Sequence, residues 1–284
     1  MVLAHKNLSG CLPCWERLER VGWKTSLAFE SYGTGFGIRT NDPALGIRIA
    51  GLLPPNAVLS SSPLAVLYSL SIAHNCHRLY RGIEQIARAH HLEDVLTALE
   101  SDLHGQIAER AQGSLFVHAG VVGWQGAAIV IPGRSFSGKT SLTAALIRAG
   151  AEYLSDEYAI FDTLGRVHPY PKLLSFRDAA GQPLEKCSAE SLGGQTGTKP
   201  LPIGLILDTK YESGACWQPH PMTPGASLLT LLGSTVQVRH QPQWALEILQ
   251  QAVSGAVGVK SKRGEADEAA AWVLGSQQAV KGVT

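Results

Sequence analysis

Residues 127–140 read Ala127-Ala128-Ile129-Val130-Ile131-Pro132-Gly133-Arg134-Ser135-Phe136-Ser137-Gly138-Lys139-Thr140, an apolar run of strand length that feeds directly into a glycine-rich turn. Beyond it Leu142, Ala145, Leu146 and Ala149 recur at helical spacing, and Gly150 supplies a stop. A turn between a strand and the start of a helix suits a chain of phosphates. Unpaired amide donors converge there, and the positive end of the helix dipole favours negative charge. Gly133 and Gly138 let the backbone turn and approach closely. Lys139 is placed to reach β- and γ-phosphates, and Thr140 to offer its hydroxyl to Mg²⁺. The expected cradle is Gly133, Arg134, Ser135, Phe136, Ser137, Gly138, Lys139, Thr140 and Ser141. An incidental glycine-rich turn is the plain alternative, and the strand before with the amphipathic helix after is the context that favours phosphate.

Working outward, residues 115–122 form a second continuous apolar run, as expected where a sheet is covered on both faces, and this run carries His118. On the other side, residues 153–162 read as the next strand region, with a turn at Leu164-Gly165 and a return strand over 167–170. Asp156 and Glu157 fall in that region, 17 residues or more beyond Lys139, where one helix plus one strand would bring them beside the turn. An adjacent acid pair is usually a solvated turn. Phosphoryl transfer, however, needs a proton acceptor and a carboxylate for the metal, and this pair meets both needs. Arg177 and Arg263 are further candidates for neutralising phosphate charge, against the plainer reading of surface arginines.

His118-Ala119-Gly120-Val121-Val122, the turn from Gly133 to Thr140 and Leu154-Ser155-Asp156-Glu157 stand in an order and spacing that resembles the catalytic domain of HPr kinase/phosphorylase. That family's P-loop domain is similar to phosphoenolpyruvate carboxykinase. The resemblance spans about residues 113–180 and is most specific in the turn. It implies an α/β P-loop kinase domain over residues 113–284, with a smaller N-terminal α+β domain over residues 1–112 in which acceptor recognition would be sought. It further implies that His118 lies near the transferred phosphate, that Asp156 is the general base and that Glu157 is the metal-side carboxylate. The family has a second aspartate where this chain has Glu157, so the arm is longer here. The implied activity is transfer of the γ-phosphoryl group of ATP, with Mg²⁺, to a Ser/Thr hydroxyl of a protein, peptide or small molecule. The family's features for binding HPr are not recognisable in the C-terminal part, and a homo-oligomer is implied by analogy alone. A non-catalytic ATP-binding sensor or scaffold is the second reading. A carboxykinase-like enzyme is the third, but the extra basic and metal-binding residues that it needs are not clustered in the sequence.

The rest of the chain sets the frame. Hydrophobic residues make up 45% and charged residues 17% of 284, enough for a core and too little charge for a disordered protein. A formal charge of +1 gives no reason to expect nucleic acid or an anionic membrane as partner. The expectation is a cytoplasmic protein. No N-terminal stretch has the composition of a signal peptide, and no apolar run approaches the roughly 18 residues of a bilayer span. The five cysteines do not form a secreted disulfide framework and read as reduced. Cys11 and Cys14, with His74, Cys76 and His77, make a weak metal candidate beside the plain reading of packing and surface thiols.

Elsewhere, residues 1–60 mix short strands and turns, and Gly33, Gly35 and Gly37 read as a bend or bulge rather than a dinucleotide fingerprint. From Leu92, the positions Val95, Leu96, Leu99, Leu103 and Ile107 predict a surface helix, with His90, His91 and His104 solvated or at its edge. Residues 182–202 read as a mobile loop, 203–207 as a strand, and 244–253 and 266–274 as helices.

Overall fold

The computed structural model describes residues 14–74, 76–133, 137–177 and 183–281. Cys11, Arg134, Ser135 and Phe136 therefore lie outside the described residues, as do the side chains of Cys14 and Arg177. The fold is mixed α/β, and it divides into two compact units, residues 1–107 and 108–284. The division falls a few residues before the boundary expected at 112.

The first unit contains a short helix α1 (Cys14–Glu19), strands β1 (Thr25–Ser31) and β2 (Thr34–Thr40), a helical turn α2 (Gly46–Ala50), strands β3 (Val58–Leu59), β4 (Val66–Ser71), β5 (His77–Arg81) and β6 (Glu84–Ala89), and most of helix α3 (Leu92–Arg110). Its six strands form one sheet in the order β3-β1-β2-β4-β5-β6. Val95, Leu99, Leu103 and Ile107 of α3 are fully buried. Asp102 anchors that helix to the sheet by accepting from Tyr68 Oη at 2.6 Å and from Arg81 Nη1 at 2.8 Å. Two sequence expectations change here. His104 is buried rather than solvated, because it shares the inward side of α3 with Leu103 and Ile107. Gly35 and Gly37 lie inside β2 rather than at a bend, and a Cβ on either would collide with Pro63 or Leu64.

The second unit holds β7 (Leu115–Trp124), β8 (Ala127–Pro132), α4 (Lys139–Arg148), β9 (Glu152–Ser155), β10 (Tyr158–Phe161), β11 (Val167–His168), β12 (Leu174–Arg177), β13 (Pro183–Cys187), β14 (Ile203–Tyr211), β15 (His220–Met222), α5 (Pro224–Leu232), α6 (Pro242–Val253), β16 (Val257–Arg263) and α7 (Ala266–Lys281). Eight of these strands make one sheet in the order β11-β10-β7-β8-β14-β16-β15, with β9 beside β10 on the same edge of β7. β8, β14 and β16 run parallel, and β7 runs antiparallel to β8.

Both faces of this sheet are covered, which is why its central strands are continuously apolar. Val122, Ile129, Ile131, Leu205 and Leu207 pack with α4 and α7 on one face. Val121, Ala128, Val130 and Ile206 pack with α5 and α6 on the other. The strand region expected over 153–162 is two strands, β9 and β10, separated at Asp156-Glu157. Ser155 Oγ causes the break by accepting from the amides of Glu157 and Tyr158 at 3.3 and 3.1 Å, a local bond that competes with the strand ladder. Part of the expected loop over 182–202 is also ordered, since β13 pairs with β12. No helix among the described residues is long and apolar enough to cross a membrane.

Gln237 fixes the start of β7. It is fully buried, its Nε2 donates to Ser114 O at 2.9 Å, and its Oε1 accepts from Phe116 N at 2.8 Å. Gln237→Ala is expected to destabilise the chain by about 1–3 kcal/mol, because it strands a buried amide and a carbonyl. A lower urea midpoint at unchanged slope checks this.

Candidate functional site

Three parallel strands end together, and the carboxyl ends of such strands are where open α/β sheets bind ligands. β8 ends at Pro132 and runs on into Gly133, β14 ends at Tyr211, and β16 ends at Arg263. The turn leaving β8 is tied down on both sides. Gly133 N donates to His118 O at 3.1 Å, and Ser137 O faces Tyr211 N at 3.5 Å.

Helix α4 then starts at Gly138, which adopts the left-handed region (φ 84°, ψ 17°) and has no side chain with which to cap it. A left-handed residue is what glycine accommodates at little cost. A Cβ here would also stand 2.5 Å from Arg263 Nη2. With Leu142, Thr143, Ala144, Ala145, Leu146 and Ile147 buried, the helix axis is fixed and its uncapped first turn faces outward at the strand ends.

The acidic turn meets this helix from the side. Ala119 N donates to Glu157 O at 3.2 Å, which pins residues 156–157 against β7. Thr140 Oγ1 donates to Asp156 Oδ2 at 2.7 Å, so the turn's hydroxyl and the first acid are joined directly. Gly120 makes that approach possible, because a Cβ on it would lie 2.5 Å from Thr143 Oγ1 and 3.8 Å from Asp156 Oδ1 and Lys139 Cβ. His118 is on the same face of β7 as Gly120. The residue is exposed, and its ring centre lies 4.8 Å from that of Tyr158 with the two planes tilted by 35°. Glu157 is turned elsewhere, taking Lys172 Nζ at 2.6 Å. The structure thus brings together Lys139, Thr140 and Asp156, sets His118 one strand position away, and directs Glu157 to Lys172.

Electrostatically the site is under tension. Burial pushes the Asp156 carboxyl up to about 7, against the opposing pull of Thr140 and the Lys139 ammonium. Burial also lowers the Lys139 ammonium, while Asp156 and Glu157 raise it. Asp156 Oδ1 and Thr143 Oγ1 are buried and make no hydrogen bond of good geometry, although Thr143 still favours the charged carboxylate. Ser137 Oγ and Arg263 Nε are buried without partners as well. Arg263 is almost wholly buried. Its Nη2 donates to Gly138 O at 2.7 Å and its Nη1 to Gly264 O at 3.0 Å, and burial lowers its pKa. Glu265 and Tyr211 favour the charged form against that burial, while the two hydrogen bonds of the guanidinium go to carbonyls.

Ser137 Oγ and Arg263 Nε, with the Lys139 ammonium, are donors of the kind a magnesium-bound polyphosphate takes, and Thr140 and the acidic turn carry oxygens of the kind its cation takes. Among the described residues, no group of three or more His, Cys, Asp or Glu side chains is placed to hold a metal ion. No protein-family model matches the chain, and no curated protein matches it.

Thr143, Lys172 and Tyr211 have no place in the sequence reading, and Gly120 enters it only within the stretch from His118 to Val122. Gly120 carried a usable signal, as a lone glycine inside an apolar strand marks close approach of another segment. The Asp156 shift has a definite sign for stability. Between the ordinary value of 3.8 and about 7 the unfolded chain ionises while the folded chain holds its proton, so stability falls as pH rises through that window. Asp156→Asn is therefore expected to stabilise the ligand-free protein at pH 8 by on the order of 2 kcal/mol, with the gain vanishing towards pH 4. Urea unfolding at the two pH values checks it.

Proposed function

We propose that the chain is an ATP-dependent kinase, resembling HPr kinase, that transfers the γ-phosphoryl group to a Ser/Thr hydroxyl of a protein, peptide or small molecule. The observation that carries this reading is the 2.7 Å bond from Thr140 Oγ1 to Asp156 Oδ2 at the uncapped start of α4, with Lys139 beside it. A hydroxyl one residue past the turn lysine, touching a carboxylate from a neighbouring strand end, is what phosphoryl transfer requires of a magnesium site.

On this reading the amides at the start of α4 and the ammonium of Lys139 hold the β- and γ-phosphates. Arg263 supplies positive charge from behind Gly138. Mg²⁺, held by Thr140 and the acidic turn, would offset the charge that builds on the phosphate oxygens. Asp156 takes the proton of the acceptor hydroxyl as its oxygen bonds to the γ-phosphorus and the bond to the β-phosphate oxygen breaks, releasing ADP. A carboxyl near pH 7 is well matched to that task. His118, exposed on the same face of β7, is the residue proposed to lie near the transferred group. Glu157 remains the proposed metal-side carboxylate, reached by giving up Lys172. The P-loop domain over residues 113–284 would be catalytic, with acceptor recognition sought in residues 1–112.

Incubation of the purified chain with γ-labelled ATP, Mg²⁺ and a panel of Ser/Thr proteins, peptides and alcohols tests the proposal. Transfer is expected, reduced roughly 10²–10⁴-fold in Asp156→Asn with ATP still bound. An Asp156→Asn variant as active as the wild type removes the mechanism. Tight ATP binding with no transfer to any acceptor supports a nucleotide sensor instead.

A further inference from the structure

β14 loses its apolar character at Asp208 and ends at Tyr211, whose ring has no part in holding phosphates. The position of that ring is nevertheless closely determined. Its Cβ stands 3.3 Å from where a Cβ on Gly138 would be, so it borders the start of α4. One face of the ring lies under the Arg263 guanidinium, whose carbon is 5.5 Å from the ring centre. Arg263 is in turn bonded to Gly138 O. The following residues are held as well, with Glu212 N donating to Arg263 O at 2.9 Å and Ala215 N to Glu212 O at 3.0 Å. Held this way, Tyr211 is still 44% exposed.

An aromatic ring backed by a buried cation on one side and open on the other is a stacking platform. A nucleotide whose phosphates sit on the amides at the start of α4, and whose ribose turns toward this rim, would bring its base to the ring. We propose that Tyr211 is the surface on which the purine base of the bound nucleotide stacks. The proposal rests on the kinase reading only so far as a nucleotide occupies the turn. A ring face carries no donor or acceptor pattern, so adenine and guanine are both accommodated. Tyr211 then sets affinity for the nucleoside part, while Lys139 and Arg263 set it for the phosphates.

The alternative is that Tyr211 only packs on Arg263 and steadies the turn. Titration calorimetry of the full chain with Mg·ATP, Mg·GTP and Mg·tripolyphosphate separates the two, since tripolyphosphate lacks the base. Tyr211→Ala is expected to weaken both nucleotides roughly tenfold, in line with base–aromatic stacking, and to leave tripolyphosphate affinity unchanged. Tyr211→Trp is expected to restore nucleotide binding. Equal losses for nucleotide and tripolyphosphate, or unchanged nucleotide affinity in Tyr211→Ala, would overturn the proposal while leaving the kinase reading intact. A wild-type chain that binds none of the three ligands removes both.

Discussion

A helix that begins at an uncapped left-handed glycine, in a neighbourhood of buried polar atoms without partners, is the constraint on which the second unit depends. Leaving a buried donor or acceptor unmet costs about 1–3 kcal/mol, so folded chains avoid it. Yet among the described residues, four of the ten such side-chain atoms, Ser137 Oγ, Thr143 Oγ1, Asp156 Oδ1 and Arg263 Nε, surround the first turn of α4. Chance scatter does not gather them there. The surrounding sheet is built to hold them, since β8, β14 and β16 all end at this place and the two apolar cores keep the strands from yielding. Strain kept in one spot by a well-packed scaffold is the usual mark of a site that is completed by its ligand.

Opposite charges dominate the local balance. The Lys139 ammonium and the Arg263 guanidinium are both depressed by burial, and the Asp156 carboxyl is raised by it. Each is therefore poised to gain from a partner of the opposite sign. A polyphosphate with its cation supplies both at once, an anion for Lys139 and Arg263 and a cation for Asp156. Neither phosphate nor metal alone relieves all three. Joint occupancy by polyphosphate and cation is what the proposed function calls for.

Much of this was legible in the sequence because it is local. The run 127–131 followed by Gly133 to Thr140 encodes strand, turn and helix in consecutive residues, and the stripe Leu142, Ala145, Leu146 fixes the buried side of α4. Asp156 was also within reach, since one helix and one strand separate it from Lys139. Non-local pairing hid the rest. Arg263 and Tyr211 arrive at the turn only because β14 and β16 pair in parallel with β8, and no spacing in the sequence announces that register. The exact break between β9 and β10 is set by the bonds that Ser155 Oγ accepts from the amides of Glu157 and Tyr158, which the spacing of apolar residues does not announce. His104 was misjudged for a related reason, since helical periodicity places a histidine on a face but does not say how deep that face lies. The role of Glu157 is the least legible, for its arm is longer than the family's aspartate and it takes Lys172 in the structure.

A crystal structure of the chain with a non-hydrolysable ATP analogue and magnesium tests the central claim most directly. The account predicts the β-phosphate on the amides at the start of α4 and on Lys139, the ion bonded to Thr140 Oγ1, and Ser137 Oγ, Asp156 Oδ1 and Arg263 Nε each provided with a partner. An analogue bound elsewhere, or a first turn of α4 that stays bare at saturating ligand with those atoms still unpaired, would contradict it.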